Sequence, residues 1–308
     1  MANTTALSGK PCRILLATDL SARGDRALER AITIAARSQA QLTILHVFEE
    51  IRDDRPTYAY RAQSWQRPND AVEIAKHRVR RGLRRDLGDA AENATVLVEE
   101  GEPADVIERV AVAHGIELIV TGVAREGLFA RRPVILGSTV DRLLRRSPAP
   151  ILIVRNRARA PYEHVVVAVD FSDTSAIALH AALRFFPSHT LYLLHAFEVP
   201  YASLVEDGER YAAEYRNTRM RDLEAFLDSI FLADDDRRRL VPLIQRGHPE
   251  RLIRDHVLAH DADLVVMGTH GRGAISEALL GSTAKGILES LPCDALVVRG
   301  RRLQADGT

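Results

Sequence analysis

The feature that most constrains this chain is a long internal repeat. Segments of the first half recur in the second half, in the same order and with the same apolar pattern. The matching pairs are RILLATDLS (13–21) with HVVVAVDFS (164–172), LTILHVF (42–48) with LYLLHAF (191–197), GEPADVIERVAVAHGIELIVTG (101–122) with GHPERLIRDHVLAHDADLVVMG (247–268), and GSTVDRLL (137–144) with GSTAKGIL (281–288). A repeat of this length indicates two copies of one domain rather than an array of short units.

The offset between matching residues drifts slowly along the chain. It is 151 between Asp19 and Asp170 and 144 between Gly137 and Gly281, as small loop insertions and deletions would produce. The junction falls in the short polar segment 156–161 (NRARAP), which ends in proline. We therefore predict domains at 1–155 and 162–308, each long enough to bury its own core.

Within each copy, short runs of Val, Ile and Leu alternate with longer stretches of helical periodicity. The runs are almost entirely apolar, as in strands covered on both faces of a sheet. Predicted strands lie near 13–18, 41–48, 94–99, 117–121 and 151–154, and at 165–169, 190–196, 240–245, 264–267 and 295–298. In the second copy, predicted helices lie near 173–186, 206–230, 248–260 and 281–290. This alternation predicts an α/β chain of two doubly wound, five-stranded, Rossmann-like parallel-sheet domains.

The charge balance argues against a nucleic-acid partner. Lys plus Arg and Asp plus Glu each number 42, so the formal net charge is zero. There is no apolar leader and no run of about 18 apolar residues, so no membrane association is expected. The two cysteines, Cys12 and Cys293, have neither metal nor disulfide spacing. These features predict a cytoplasmic protein.

A glycine pattern follows the fourth predicted strand of the second copy. Gly268, Gly271, Gly281 and Ser282 lie in GTHGRGAISEALLGSTAKG, and a predicted helix starts at the last of these glycines. Free N–H groups at a helix start favour anions, and Ser282 and Thr283 add hydroxyl donors, so the segment is typical of a phosphate site. It lacks the GxxxxGK[ST] of a P-loop, and it does not open the first βα unit as a Rossmann glycine motif would.

These residues resemble the universal stress protein family, whose nucleotide motif is G-x2-G-x9-G-[ST]. The resemblance spans nearly all of both copies, and it implies an adenine nucleotide alpha hydrolase-like fold that binds ATP with Mg²⁺. It implies that Asp170 lies at the adenosine end, that Ala168 and Ala196 wall the base, and that Met267 and Gly268 flank the ribose and phosphates. Phosphates would be held by the remaining motif positions, Gly271, Gly281, Ser282 and Thr283. No protein metal ligand is expected, because phosphate oxygens and water would bind the ion.

The first copy departs from this motif. The positions that correspond to the second-copy site are Asp19, Val47, Gly122, Arg125, Gly137, Ser138 and Thr139. Arg125 replaces the second glycine, and the loop from Gly122 to Gly137 is two residues longer than its counterpart. We therefore expect a degenerate second site, although Arg125 could still pair with a phosphate.

The histidines favour structural roles. His46 and His195 occupy matching positions at the ends of the second strands, where a hydrogen-bonded strand-end histidine is expected. His256 and His260 share a helix face, but the sequence shows no third metal ligand beside them.

Three functions remain open. The first is a nucleotide-binding stress-response regulator, most consistent with a phosphate site that has no evident catalytic base. The second is a slow ATPase or autokinase, for which Ser282, Thr283 and His270 are the nearby groups. The third is a scaffold that acts by pairing alone. The resemblance implies pairing through the last strand, which two copies on one chain can satisfy internally, and a homodimer of chains is compatible but not required.

Overall fold

A computed structural model of the protein describes residues 13–21, 24–48, 68–87, 94–123, 136–199, 207–271 and 280–300. The strands are β1 (Arg13–Thr18), β2 (Gln41–Phe48), β3 (Ala94–Glu100), β4 (Leu118–Gly122), β5 (Ile151–Val154), β6 (Val165–Ala168), β7 (Leu191–Phe197), β8 (Leu240–Arg246), β9 (Leu264–Gly268) and β10 (Asp294–Val298). The helices are α1 (Gly24–Ser38), α2 (Pro68–Leu87), α3 (Pro103–Ala113), α4 (Ser138–Arg146), α5 (Asp173–Phe185), α6 (Gly208–Ser229), α7 (Asp234–Arg238), α8 (Pro249–His260) and α9 (Ser282–Ser290).

The apolar runs form strands that are covered on both faces. Every residue of β5 and of β10 is buried, and the first three residues of β6 are as well. The α/β class predicted from the alternation is therefore confirmed. One element was not predicted: α7 is a short helix of sequence DDDRR between the predicted helix near 206–230 and the predicted strand at 240–245.

Each half contains a parallel sheet with its first strand in the centre. The order is β3-β2-β1-β4-β5 in the first half and β8-β7-β6-β9-β10 in the second. In each half, the second and third strands are added on one side of the first strand, and the fourth and fifth strands are added on its other side. A switch point for a ligand therefore lies at the carboxyl ends of β1 and β4, and of β6 and β9.

The two halves meet through their last strands. β5 and β10 pair in antiparallel orientation, with Leu152 opposite Leu296, so all ten strands belong to one sheet. Helices α1, α2, α5 and α6 cover one face, and α3, α4, α8 and α9 cover the other. Each of the two resulting apolar layers runs through both halves.

A buried carboxylate ties the junction together. Asp294 is 1% exposed, and its Oδ1 accepts the backbone N–H groups of Arg155 at 2.8 Å and Asn156 at 3.0 Å. Its Oδ2 accepts the Tyr162 hydroxyl at 2.7 Å and lies 3.5 Å from Arg30 Nε. Burial raises the pKa of Asp294, while these hydrogen bonds and the Arg30 charge act in the opposite direction. The matching position in the first half is Pro150, so the junction is asymmetric.

No helix in the described ranges has the length and apolar character needed to cross a membrane.

Candidate functional site

A cavity of about 490 Å³ lies at the carboxyl ends of β6, β7 and β9 in the second half. This is the switch point of the sheet, where ligands of doubly wound folds bind. All nine residues predicted for the nucleotide site line it: Ala168, Asp170, Ala196, Met267, Gly268, Gly271, Gly281, Ser282 and Thr283. The fold thus brings together residues that lie more than 100 positions apart in the sequence.

Asp170 is held in place by the turn that connects β6 to α5. Its Oδ1 accepts hydrogen bonds from the Ser172 and Ser175 hydroxyls, each at 2.6 Å, and from the Ser172 backbone N–H at 3.1 Å. Ser172 also caps α5 by accepting the Ser175 N–H. The helix cap and the placement of Asp170 therefore belong to one hydrogen-bond network.

Glycine at 271 and 268 allows two backbone segments to approach the site closely. A Cβ on Gly271 would lie less than 3.0 Å from Asp170 Oδ2, and a Cβ on Gly268 would lie as close to Thr174 Cγ2. The Asp170 carboxylate cannot easily yield, since its other oxygen is fixed by the serines. At position 271, only glycine fits without displacing the Asp170 carboxylate.

The amino end of α9 forms the opposite side of the cavity. Gly281 is its N-cap, and no side chain caps the first turn. The Gly281 N–H donates to the Thr269 carbonyl at 3.0 Å, which fixes the loop against the helix. Ser282 and Thr283 are exposed, so the helix presents N–H groups and two hydroxyls to the cavity, an arrangement suited to an anion.

Two histidines, His195 and His270, line this cavity, and His46 occupies the position in the first half that matches His195. His195 Nδ1 lies 2.8 Å from the Val169 carbonyl, and its ring stacks on Phe171 at 4.1 Å. His46 makes the equivalent contact with the Thr18 carbonyl at 2.9 Å. The prediction that both strand-end histidines are hydrogen-bonded is therefore confirmed. His270 differs, because its Nδ1 contacts Thr269 Oγ1 while its buried Nε2 has no hydrogen-bond partner among the described residues.

The equivalent cavity in the first half measures about 160 Å³. Four of the residues predicted for the degenerate site line it: Asp19, Val47, Gly122 and Thr139. Gly137 and Ser138 start α4 but are not part of its lining. Arg125, the predicted reason for degeneracy, lies outside the described residues. The small volume is a separate feature that the sequence did not indicate.

Sequence reasoning missed several residues of the larger cavity. Ser175 reaches Asp170 from α5, where the first half has Gly24 at the matching position. Pro249 and Ile253 contribute from the start of α8. The sequence did contain a signal for the contribution from α8. The tripeptides GEP (101–103) and GHP (247–249) recur where α3 and α8 begin, and they mark a loop at the same carboxyl edge of the sheet.

Comparisons with known proteins also divide the chain into two copies of one domain. Residues 12–155 and 161–299 each match the model of the universal stress protein family. A universal stress protein of Mycolicibacterium smegmatis is 24% identical over 296 residues, which cover 94% of this chain and 97% of that protein. Universal stress protein E of Escherichia coli is 24% identical over 223 residues, which cover 68% of each chain.

Solved structures share the fold at low sequence identity. A universal stress protein from Archaeoglobus fulgidus superposes with a TM-score of 0.67 at 20% identity, covering 93% of this chain and 98% of that one. A protein of unknown function from Pseudomonas aeruginosa has a TM-score of 0.60 at 21% identity, covering 96% and 94%. Both similarities extend over the two halves together.

Proposed function

The chain belongs to the universal stress protein family, and from this premise we propose that it is an ATP-binding stress-response regulatory protein of the cytoplasm whose second domain holds the nucleotide. The observation that carries the proposal is the 490 Å³ cavity lined by all nine predicted residues. Small-molecule sites usually measure about 300–1,000 Å³, so this volume suits a nucleotide.

The polar groups of the cavity are arranged as a nucleotide would require. At one side, the uncapped start of α9 and the hydroxyls of Ser282 and Thr283 would hold the phosphates. At the other side, the small side chains of Ala168 and Ala196 leave room for a flat base beside Asp170. The described residues that line this cavity include no group of three metal-binding side chains, so Mg²⁺ would be held by phosphate oxygens and water.

The first domain is the weaker candidate for binding. Its cavity of about 160 Å³ lies below the usual range for a small-molecule site. We therefore propose one nucleotide per chain.

Regulation would operate through differential affinity. A nucleotide that binds one conformation or assembly better than another shifts the population toward it. We also infer that the β5–β10 pairing holds the two domains together in solution, because Asp294 joins both halves at this edge.

A slow ATPase is the second candidate, and a single observation favours it. The Nε2 atom of His270 is buried beside the cavity without a hydrogen-bond partner among the described residues. This nitrogen could therefore accept a proton from an attacking water. Single-turnover hydrolysis that is lost in His270→Ala, with ATP binding retained, would support this candidate.

Isothermal titration of nucleotide-stripped full-length protein with ATP and Mg²⁺ tests the main proposal. We expect one site per chain and at least about a tenfold loss of affinity in Gly271→Ala, because the new Cβ displaces the Asp170 carboxylate. Gly281→Val should weaken binding similarly, since its Cβ would lie 3.3 Å from the Thr269 carbonyl oxygen.

Gly137→Val is the matched control, because Gly137 is the N-cap of α4 as Gly281 is of α9. It should leave ATP affinity unchanged. Two sites per chain would show that the first domain binds nucleotide as well. An absence of binding would reject the nucleotide function and favour a pairing scaffold.

A further inference from the structure

Three histidines come together at the amino end of the second domain's sheet, on the edge opposite the nucleotide cavity. His164 directly precedes β6, and His256 and His260 lie one turn apart on α8. Ring centroids are separated by 4.4 Å for His256 and His260, 5.5 Å for His164 and His256, and 6.1 Å for His164 and His260. The fold thus supplies the third histidine that the helical pair lacks in the sequence.

The spacing of two of these side chains matches a metal site. The Nε2 atoms of His164 and His256 lie 3.4 Å apart. Two nitrogens bound to one tetrahedral zinc at about 2.0–2.1 Å would be separated by about 3.3–3.4 Å. The pair is therefore already at the spacing that a shared metal requires.

The surroundings favour a cation. Asp263 holds His164 in place, because its Oδ2 accepts the backbone N–H groups of Glu163 at 2.8 Å and His164 at 2.9 Å. An open cavity of about 620 Å³ beside His164 and His260 is also lined by Asp261 and Asp263.

We propose that His164, His256 and His260 bind a divalent transition metal, with Zn²⁺ as the best match. No three metal-binding side chains in the described ranges enclose one centre, so the three imidazoles must reorient when the ion binds. His260 is exposed at the end of α8, where its ring contacts those of His256 and His164, and an exposed side chain can change rotamer. The fourth tetrahedral position would be taken by water.

The first domain provides a natural negative control. Its residues at the three matching positions are Arg13, Val110 and His114. The Arg13 guanidinium lies there against Gly115, whose added Cβ would be 3.0 Å from Arg13 Cζ. A permanent cation and a valine replace two of the three ligands, so only the second domain is expected to bind the metal.

Titration of tag-free, metal-free full-length protein with zinc chloride, in the absence of nucleotide, tests the proposal. We expect one Zn²⁺ per chain and a rise in melting temperature on binding. His164→Gln, His256→Gln and His260→Ala should each lower zinc affinity at least about tenfold, because each removes a ligand. His114→Ala, which changes the matching position of the first domain, should have no effect.

An absence of zinc binding would overturn the proposal, as would an affinity unchanged in the double variant His164→Gln/His256→Gln. Unchanged affinity in His260→Ala would overturn the three-histidine site. Because His256 is buried, circular dichroism must show that its variant folds, and the half-exposed His164 and exposed His260 provide tests that do not depend on it. The proposed zinc and ATP sites lie at opposite edges of the sheet, and the two ligands are titrated separately. The outcome of one titration therefore does not depend on the outcome of the other.

Discussion

Cys293 shows how a buried environment changes the chemistry of one residue. It is 2% exposed, immediately before β10, and it neighbours the buried Asp294. Burial, and then the Asp294 charge, raise the pKa of the Cys293 thiol from its ordinary 9.0 to about 12. The thiolate is the reactive form of cysteine, so the native thiol should be inert near neutral pH.

We expect Cys293, in a Cys12→Ser background, to react with a disulfide reagent at pH 8 at least about 100-fold more slowly in the native protein than in denaturant. Because the native thiol keeps its proton up to about pH 12 and the unfolded thiol loses it near 9.0, its contribution to stability is complete below pH 9. That contribution is lost as the pH rises toward 12. Equal rates in native and denatured protein would contradict this account.

At the scale of elements, the turn after the first strand is built in the same way in both domains. Leu20 and Phe171 occupy matching positions and adopt left-handed φ angles of 59° and 63°. In each turn the preceding aspartate accepts the N–H of the residue two positions on, Asp19 from Ser21 at 3.0 Å and Asp170 from Ser172 at 3.1 Å. These hydrogen bonds offset the steric cost of the left-handed residue.

The two turns should respond differently to glycine. Leu20 is 42% exposed, whereas Phe171 is 7% exposed and stacks on His195. Leu20→Gly should stay within about 1 kcal/mol of the wild-type free energy of unfolding, because relief of the left-handed strain offsets the entropy of glycine. Phe171→Gly should lose about 3 kcal/mol or more, since the cavity it leaves outweighs that relief.

Guanidinium unfolding of both variants measures the difference. A loss in Leu20→Gly as large as that in Phe171→Gly would show that the turn, rather than the packed ring, determines stability.

At the scale of the whole molecule, the contacts at the β5–β10 junction determine whether the two domains behave as a single unit. The β5–β10 pairing is reinforced by Asp294, which binds the linker through Asn156 and Tyr162 and contacts α1 through Arg30. The side chain of Arg155 also reaches the Leu288 carbonyl at the end of α9. A buried charge with several partners depends on all of them remaining in place.

Asp294→Ala should therefore lower the free energy of unfolding by about 3–5 kcal/mol, because it leaves Arg30 buried without its carboxylate. Chemical denaturation of the full chain measures this. Arg142→Ala is the control, since Arg142 pairs with Glu102 and Asp105 while its own side chain is 40% exposed, and an exposed network contributes less than about 1 kcal/mol. Equal losses of unfolding free energy in the two variants would show that Asp294 at the junction stabilises the protein no more than an exposed ion pair does.

Much of the fold and of the candidate site could be predicted from local sequence patterns. Local patterns are enough to show the repeat, the buried apolar runs and the spacing of Gly268, Gly271 and Gly281. All of the second-domain site residues predicted in this way line one cavity. A glycine at a close approach is visible in sequence because no other residue can replace it there. The strand-end role of His46 and His195 was visible for a similar reason, since both copies place the same residue at the same point.

The rest required the tertiary structure, because it depends on residues that meet from distant parts of the chain. The small volume of the first cavity reflects packing of whole elements, and no motif encodes it. Asp294 closes the junction only because the fold brings Arg30, more than 260 residues earlier, against it. His164 and His256 are 92 positions apart and meet at 3.4 Å. The sequence by itself determined the repeated fold and the glycine-lined site, while tertiary packing decided which cavity is large, how the domains join and which histidines meet.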